Sequence, residues 1–341
     1  MMAGENTRTE ILSQPDVWLA AVDALQQQAG QLRAFYRTGR YDRIIYTGCG
    51  STYFMALAAA LTQRLTHVPA RGVPASEAWL YPASVYAPGQ RTLLIALSRS
   101  GETTETLRAS EAFKARADGD LVTLSCCPDR ALSHMGALNL VFPEAQEESI
   151  AQTRAFSTLY VAVTVLAALW GGREDIFAPM RAVAESARRM LTDYGALAQT
   201  LGQDDELDRY YFLGSGPRYG LACELNLKMK EMALCFSEPF HFMEFRHGPM
   251  SMVTPSTLLV GLLSEQNRDY EHAVLDEMRQ RGARLLVMAE TDADVAFASG
   301  VDESLRNALY LPIGQLLAFE RSLHKSLDPD RPHSLDAVVR L

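Results

Sequence analysis

One pattern in this chain occurs twice, and the repetition constrains its fold more than any single motif. Short apolar runs bounded by turn residues occur at RIIYTG, TLLIALS, DLVTLSC and LNLVFP, with segments of helical length between them. A second series, RYYFLGSG, TLLVGLLS, RLLVMAE and LYLP, follows in the same order about 165 residues downstream. Such runs read as strands buried on both faces. Their alternation with helical segments predicts a parallel sheet covered by helices on each side. Because the period is about the length of one α/β domain, two such sheets are expected in tandem. The turns repeat as well: TGCGST (47–52) and LGSGPR (213–218) each place Gly-x-Gly between a strand and a helix, where glycine permits a tight turn and close approach of a ligand.

Residues 10–34, opening with EILSQPDVWLAAV, are expected to form a leading helix after Pro15, a residue suited to a first helical turn. Residues 173–208, rich in Ala, Arg and Leu, read as helical linkage. The expected organisation is an N-terminal tail and leading helix (1–36), a first α/β subdomain (37–172), the linkage (173–208), a second subdomain (209–328) and a C-terminal tail (329–341). With 48% hydrophobic and 21% charged residues among 341, the chain can bury a substantial core. A formal charge of -9, without a long Lys/Arg cluster, argues against a nucleic-acid partner, so any anion site must be local. Five cysteines (Cys49, Cys126, Cys127, Cys223, Cys235), two of them adjacent and none at zinc-type spacing, read as reduced thiols, and no metal site is expected. The apolar stretch AFSTLYVAVTVLAALW is about 16 residues long, short of the ~20 a membrane helix needs, and MMAGENTRTE lacks the apolar core of a signal peptide. A cytoplasmic location and no membrane partner are therefore expected.

The segment ALSRSGETTETL (96–107) follows a buried strand and opens a helix. Ligands of open α/β sheets bind at that place, and free N–H groups with the positive end of the helix dipole favour an anion such as phosphate. Ser100 or Thr103 as an ordinary helix cap is the alternative, with Glu102 and Glu105 complementing the dipole. Capping needs one hydroxyl, whereas Ser98, Ser100, Thr103 and Thr104 crowd around Gly101, with Arg99 adding charge; an anion cradle is the favoured reading. The equivalent turn of the second series, LLSEQNRDYEH, has no glycine and two early acids, so one cradle per chain is expected.

In RYGLACELNLKMKEMALCF (218–236), Glu224, Lys228 and Glu231 fall within an arc of about 60° at ~100° per residue. Either they are an i,i+4 pair on a solvated face, or they form a charged stripe lining a cavity; the apolar residues on both sides favour the cavity. Next in the chain, FSEPFHFMEFRHGPMSMV holds His241, Glu244, Arg246 and His247 among aromatics. A histidine in such surroundings is more often a hydrogen-bonded core residue than a catalyst, and no metal-ligand spacing is present.

Taken in order, EIxxQP at 10–15, CGSTY at 49–53, SRSGET at 98–103, IAQTRAFST at 150–158, GLACELNLKMKE at 220–231, EFRHGP at 244–249 and DPDRPHSL at 328–335 resemble the double sugar-isomerase (SIS) domain family. Within it, they resemble the isomerase half of the glutamine-fructose-6-phosphate aminotransferases and the SIS-type glucosamine-6-phosphate deaminases. The resemblance implies an α/β fold of two tandem doubly wound, flavodoxin-like subdomains. It implies Ser98, Arg99, Ser100, Thr103 and Thr52 as the phosphate site, with Arg99 where the family commonly has glutamine. Ser51, Ile150, Gln152 and Glu224 are the further substrate-binding candidates. It also implies Glu231 as the base moving a proton between C1 and C2, Lys228 as its helper, and His247 as the ring-opening residue, contributed across a homodimer interface. No cofactor is implied. The partner is a small phosphorylated sugar or amino sugar.

Two departures matter. No glutaminase domain with a nucleophilic cysteine is present in this sequence, so glutamine is not expected as its ammonia source. Where family synthases carry a Schiff-base lysine near the C-terminus, this chain has Ala337, and nothing shows that Lys325 could substitute. The leading expectation is therefore an isomerase and deaminase of an amino-sugar phosphate. A synthase-like isomerase using free ammonia, a sugar-phosphate amine deglycase and a non-catalytic phosphosugar sensor stand as alternatives.

Overall fold

The computed structural model describes residues 3–60, 63–116 and 118–338. The chain folds into two compact units. One comprises Asp16–Glu147, Arg154–Arg181 and Asp336–Leu341, the other Met1–Pro15, Glu148–Thr153 and Ala182–Leu335.

The first of these contains a five-stranded parallel sheet: β1 (Arg43–Gly48), β2 (Ala70–Pro74), β3 (Thr92–Ser98), β4 (Gly119–Ser125) and β5 (Leu138–Val141), in the order β2-β1-β3-β4-β5. All seven positions of β3 are buried, as a central strand covered on both faces requires. Ile45, Leu94 and Leu121 of the sheet pack with Ala109 and Phe113 of the Thr104–Arg116 helix. The long apolar stretch is the Arg154–Trp170 helix, buried at every position after Arg154. It is a core helix, and among the described residues no helix is long and apolar enough to cross a membrane.

The second unit repeats the plan with β6 (Arg209–Gly214), β7 (Phe236–Phe240), β8 (Thr257–Leu262), β9 (Arg284–Ala289) and β10 (Val295–Ala296), in the order β7-β6-β8-β9-β10. The duplicated sequence thus becomes a duplicated topology. In each sheet the strand order reverses once, between β1 and β3 and again between β6 and β8. A crevice opens at such a switch point, because the connections leaving its two strands go to opposite faces.

Three expectations are corrected. LYLP is not a strand: Asn307–Tyr310 form a 3-10 turn that runs into the Leu311–His324 helix, with Pro312 in its first turn, and the closing strand is the two-residue β10. A short apolar run fits a buried helix as well as a buried strand, and LYLP is buried throughout. The edge strands β2 (ARGVP) and β7 (FSEPF) were not foreseen; each carries a proline and a charged residue, which an edge position tolerates and a central one does not. The leading helix is three helices, Glu5–Leu12, Gln14–Gln27 and Ala29–Gly39, with Pro15 near the start of the second. The first stops at Ser13, just before that proline.

Candidate active site

The loop after β3 is folded by its own hydroxyls. Ser98, the last residue of β3, accepts the Gly101 N–H at its Oγ (3.1 Å), and that oxygen lies 3.3 Å from Thr103 Oγ1. Ser100 Oγ accepts the Glu102 N–H at 3.2 Å. Gly101 has φ +68°, and a Cβ there would also come within 3.0 Å of Arg130 Cβ, so glycine is needed both for the turn and for the approach of the 126–132 segment. That segment braces the loop from behind: the Cys126 N–H donates to Arg99 O (3.0 Å) and the Leu132 N–H to Gly101 O (3.1 Å). Across the switch point, Thr52 is buried in the first turn of the helix that follows β1; its Oγ1 accepts the Cys49 N–H and donates to Cys49 O, both at 2.9 Å. Ser51, also buried, opens the Ser51–Ala59 helix behind Gly50. Thr52, Ser98, Ser100 and Thr103 thus stand at the adjacent ends of β1 and β3, on paired strands.

Arg99 is placed differently from its neighbours. Its guanidinium is 5% exposed, donates to Glu147 Oε2 at 3.4 Å and to the Ala337 carbonyl at 3.2 Å, and forms a buried ion pair with Glu147. At least two of its five N–H donors are thus used within the protein, so a phosphate contact would have to share the guanidinium with these partners. Arg99→Gln is therefore expected to weaken hexose-phosphate binding about tenfold by loosening the loop, as loss of a charge-assisted hydrogen bond does. Little salt dependence is expected, because buried charges are poorly screened. A salt titration of the dissociation constant checks this: a loss that fades in high salt would make Arg99 a direct ionic ligand.

The corresponding place in the other unit carries its own anion. Ser264, just past β8, accepts the Asn267 N–H at its Oγ (3.0 Å), much as Ser98 accepts the Gly101 N–H. Here the buried Glu271 carboxylate, in the first turn of the Arg268–Gln280 helix, accepts both the Ser264 N–H (2.6 Å) and its hydroxyl (3.0 Å). Burial pushes the Glu271 carboxyl above the ordinary range, and the Ser264 bonds pull it back only in part. An internal carboxylate thus sits beside the turn that follows β8.

The charged stripe lies on the Pro217–Ala233 helix, which starts with proline in its first turn behind Gly216 and ends at Leu234 in the left-handed conformation. The Leu311–His324 helix packs closely against it: a Cβ at Gly314 would lie 2.7 Å from Leu225. Lys228 Nζ lies 2.5 Å from Glu231 Oε2 and 3.2 Å from Glu224 Oε1. The side chains of Lys228 and Glu224 are 0% exposed, whereas that of Glu231 is 20% exposed. The stripe is not a solvated face; its middle is among the most buried parts of the molecule. Burial alone would lower the Lys228 pKa, but Glu224 and Glu231 outweigh it and hold the ammonium above the ordinary lysine range. The result is a fixed cation with one buried counter-ion and one carboxylate that reaches solvent, an arrangement able to move a proton and to stabilise the negative charge left behind.

Ile150 and Gln152, both half-buried, belong to the same unit as this helix, in the segment 148–153. His247 is exposed, in the turn before Gly248 and Pro249, and lines a shallow recess of about 340 Å³ with Met243, Arg246, Met250 and Glu277. His241 stacks on Tyr219 with ring centroids 3.9 Å apart. Sequence reasoning missed Glu147, the partner of Arg99, and Glu271. Both sit in stretches rich in acids, EAQEES and RDYEH, where nothing local distinguishes a buried carboxylate from a surface one.

The SIS domain family matches residues 40–169 and 206–301, which include all ten strands found among the described residues. Among curated proteins, the chain is 27% identical over 333 residues to the isomerizing glutamine–fructose-6-phosphate aminotransferase of Methanothermobacter thermautotrophicus, covering 94% of this chain and 55% of that protein. It is 28% identical over 322 residues to the enzyme of the same name from Leifsonia xyli subsp. xyli, covering 87% and 52%. The chain therefore spans about half the length of the curated relatives it matches. Among solved structures, glucosamine-6-phosphate deaminase of Thermotoga maritima superposes with a TM-score of 0.85 at 24% identity, over 99% of this chain and 100% of that one. Tagatose-6-phosphate ketose/aldose isomerase from Escherichia coli gives 0.86 at 24%, over 97% and 96%. These structures share the fold, and the family match falls on both copies of the repeated sheet: the chain belongs to the SIS domain family.

Proposed function

We propose that the protein is a phosphosugar isomerase that also deaminates, converting an amino-sugar phosphate such as glucosamine 6-phosphate, with water, to fructose 6-phosphate and ammonia. The observation that carries this reading is the Glu224–Lys228–Glu231 arrangement, a part-exposed carboxylate 2.5 Å from a buried, obligate cation. In the proposed reaction, Ser98, Ser100, Thr103 and Thr52 bind the phosphate, with Arg99 supporting the loop. Ser51, Glu224, Ile150 and Gln152 border the substrate. Glu231 takes the C2 proton of the open-chain aldose and returns it to C1, while the Lys228 ammonium stabilises the charge that develops beside the reacting carbons. The resulting C2 imine is hydrolysed by water, which leaves the ketone oxygen at C2 and releases the nitrogen as ammonia. His247 opens the sugar ring and is supplied by a second copy in a homodimer. Binding energy from the remote phosphate is used to orient the reacting carbons.

A panel of phosphosugars and their amines, assayed together for ammonia release and for proton exchange at C2 of the aldoses and C1 of the ketoses, tests this. Ammonia and ketose phosphate in equal amounts from glucosamine 6-phosphate are expected. Ketose–aldose interconversion without ammonia would leave an isomerase that does not deaminate, and net amination of fructose 6-phosphate at high ammonium would mark a synthase-like enzyme. Release of a free amine from a sugar-phosphate adduct would mark a deglycase. Binding without exchange at any member of the panel would overturn the enzymatic reading in favour of a sensor.

A further inference from the structure

Three motifs of the sequence, EIxxQP, IAQTR and DPDRP, have had no joint role so far, yet the fold ties them together within one unit. The Glu5–Leu12 helix has no side-chain cap of its own at Gly4. Its free N–H groups are capped instead from the far end of the chain. Asp330 Oδ1 accepts the Thr7 N–H and the Thr7 hydroxyl, each at 2.7 Å, Asp330 Oδ2 accepts the Asn6 N–H at 3.1 Å, and Asp328 Oδ1 accepts the Gly4 N–H at 3.0 Å. At the other end of the same helix stands Glu10, 3% exposed. An acid near a helix C-terminus works against the helix dipole, so helix stability does not explain it. Its partners do: Oε1 accepts the Glu148 N–H (2.7 Å) and the Ser149 N–H (3.2 Å), and Oε2 accepts the Ser149 hydroxyl. The circuit closes where the Ile150 N–H donates to the Asp330 carbonyl at 3.2 Å. Two buried carboxylates thus hold three chain segments that lie far apart in sequence. Beyond the clamp, Gln152 carries a buried amide oxygen without a hydrogen-bond partner, a group that a ligand hydroxyl would satisfy.

We propose that Glu10 and Asp330 are positioning residues that clamp the segment 148–153, so that Ile150 and Gln152 are presented to the sugar in one fixed conformation. The assignment of that segment to the sugar rests on the proposed function, but the clamp itself does not. Preorganisation of this kind matters because the segment has no helix or strand of its own to fix it, and a displacement of about 1 Å in a substrate-contacting group can cost up to a hundredfold in rate.

The test compares full-length wild type with Glu10→Ala, Glu10→Gln and Asp330→Asn. Amide hydrogen exchange is read across 148–153, and the dissociation constant of fructose 6-phosphate is measured by calorimetry. In Glu10→Ala, the Glu148 and Ser149 amides are expected to lose at least about tenfold in protection, while β6 and β8 keep theirs, and fructose 6-phosphate binding weakens by about the same factor. Glu10→Gln, whose amide oxygen can still accept, is expected to restore most of both, and Asp330→Asn to loosen the clamp less than Glu10→Ala. Unchanged exchange at 148–153 in Glu10→Ala would overturn the clamp. Raised exchange with unchanged affinity would overturn its role in presenting the segment to the sugar. If wild type does not bind fructose 6-phosphate at all, the proposed function fails and the positioning role with it, while the exchange data still decide whether the clamp exists. Should Glu10→Ala fail to fold, Glu10→Asp, whose shorter carboxylate cannot keep the contacts to the Glu148 and Ser149 amides, replaces it: wild-type protection at 148–153 in that variant overturns the clamp.

Discussion

Glu231→Gln is expected to bind fructose 6-phosphate within a few-fold of wild type and to lose proton exchange at C2 of glucosamine 6-phosphate by about 10²- to 10⁴-fold, the usual range for removal of a general base. The substitution is nearly isosteric, and its amide oxygen can still accept from Lys228 Nζ, which lies 2.5 Å from the native carboxylate. What it removes is basicity at the one member of the stripe that reaches solvent. The measurement is incorporation of solvent deuterium at C2 of glucosamine 6-phosphate, followed by NMR, alongside ammonia release. Exchange at the wild-type rate in the Gln variant would move the base elsewhere and sink the assignment.

Lys228→Met is expected to lower folding stability by about 3–5 kcal/mol, because it strands the fully buried Glu224 carboxylate without its counter-ion. The double variant Glu224→Gln/Lys228→Met should recover much of that loss, since replacing both members of a buried pair is far milder than removing one. Urea denaturation of the three proteins gives the comparison; a double variant no more stable than Lys228→Met would show that the lysine stem, and not the charge, is what the core needs. Both carry a pH signature. The folded-state pKa of Lys228 is raised above the ordinary 10.5, so its contribution is fully present below the unfolded value and is lost as pH rises through the folded one. Wild type is therefore expected to lose stability above pH 10.5 through this group, and the double variant to lack that part of the loss.

Much of this architecture was readable before any coordinate. Central strands such as β3 and β8 announce themselves because complete burial demands an unbroken apolar run between turn residues, and the duplicated order of those runs carries the two-sheet plan. The edge strands β2 and β7 were invisible for the converse reason: with one neighbour each, they tolerate proline and charge. The anion loop was legible because a cradle needs glycine and hydroxyls close together in sequence, and the stripe because a helix brings residues i, i+4 and i+7 to one side. Partnerships across long sequence distance left no local trace. Glu147 beside Arg99, Glu10 beside Ser149 and Asp330 beside Thr7 are made by the fold, and each involves an acid that composition alone would assign to the surface.

The carboxylate of Glu271, which faces the turn after β8, has a consequence for how differently the two halves of the chain can respond to an anion in solution. A carboxylate tethered to the chain stays at high effective concentration beside the Ser264 N–H and hydroxyl, so a dissolved anion would have to displace it to use those donors. The helix after β1, STYFMALAA, has meanwhile no counterpart of the Glu–Lys–Glu stripe. The two halves thus differ in both features, and removal of Glu271 alone would still leave the loop after β8 without a glycine like the one in the loop after β3.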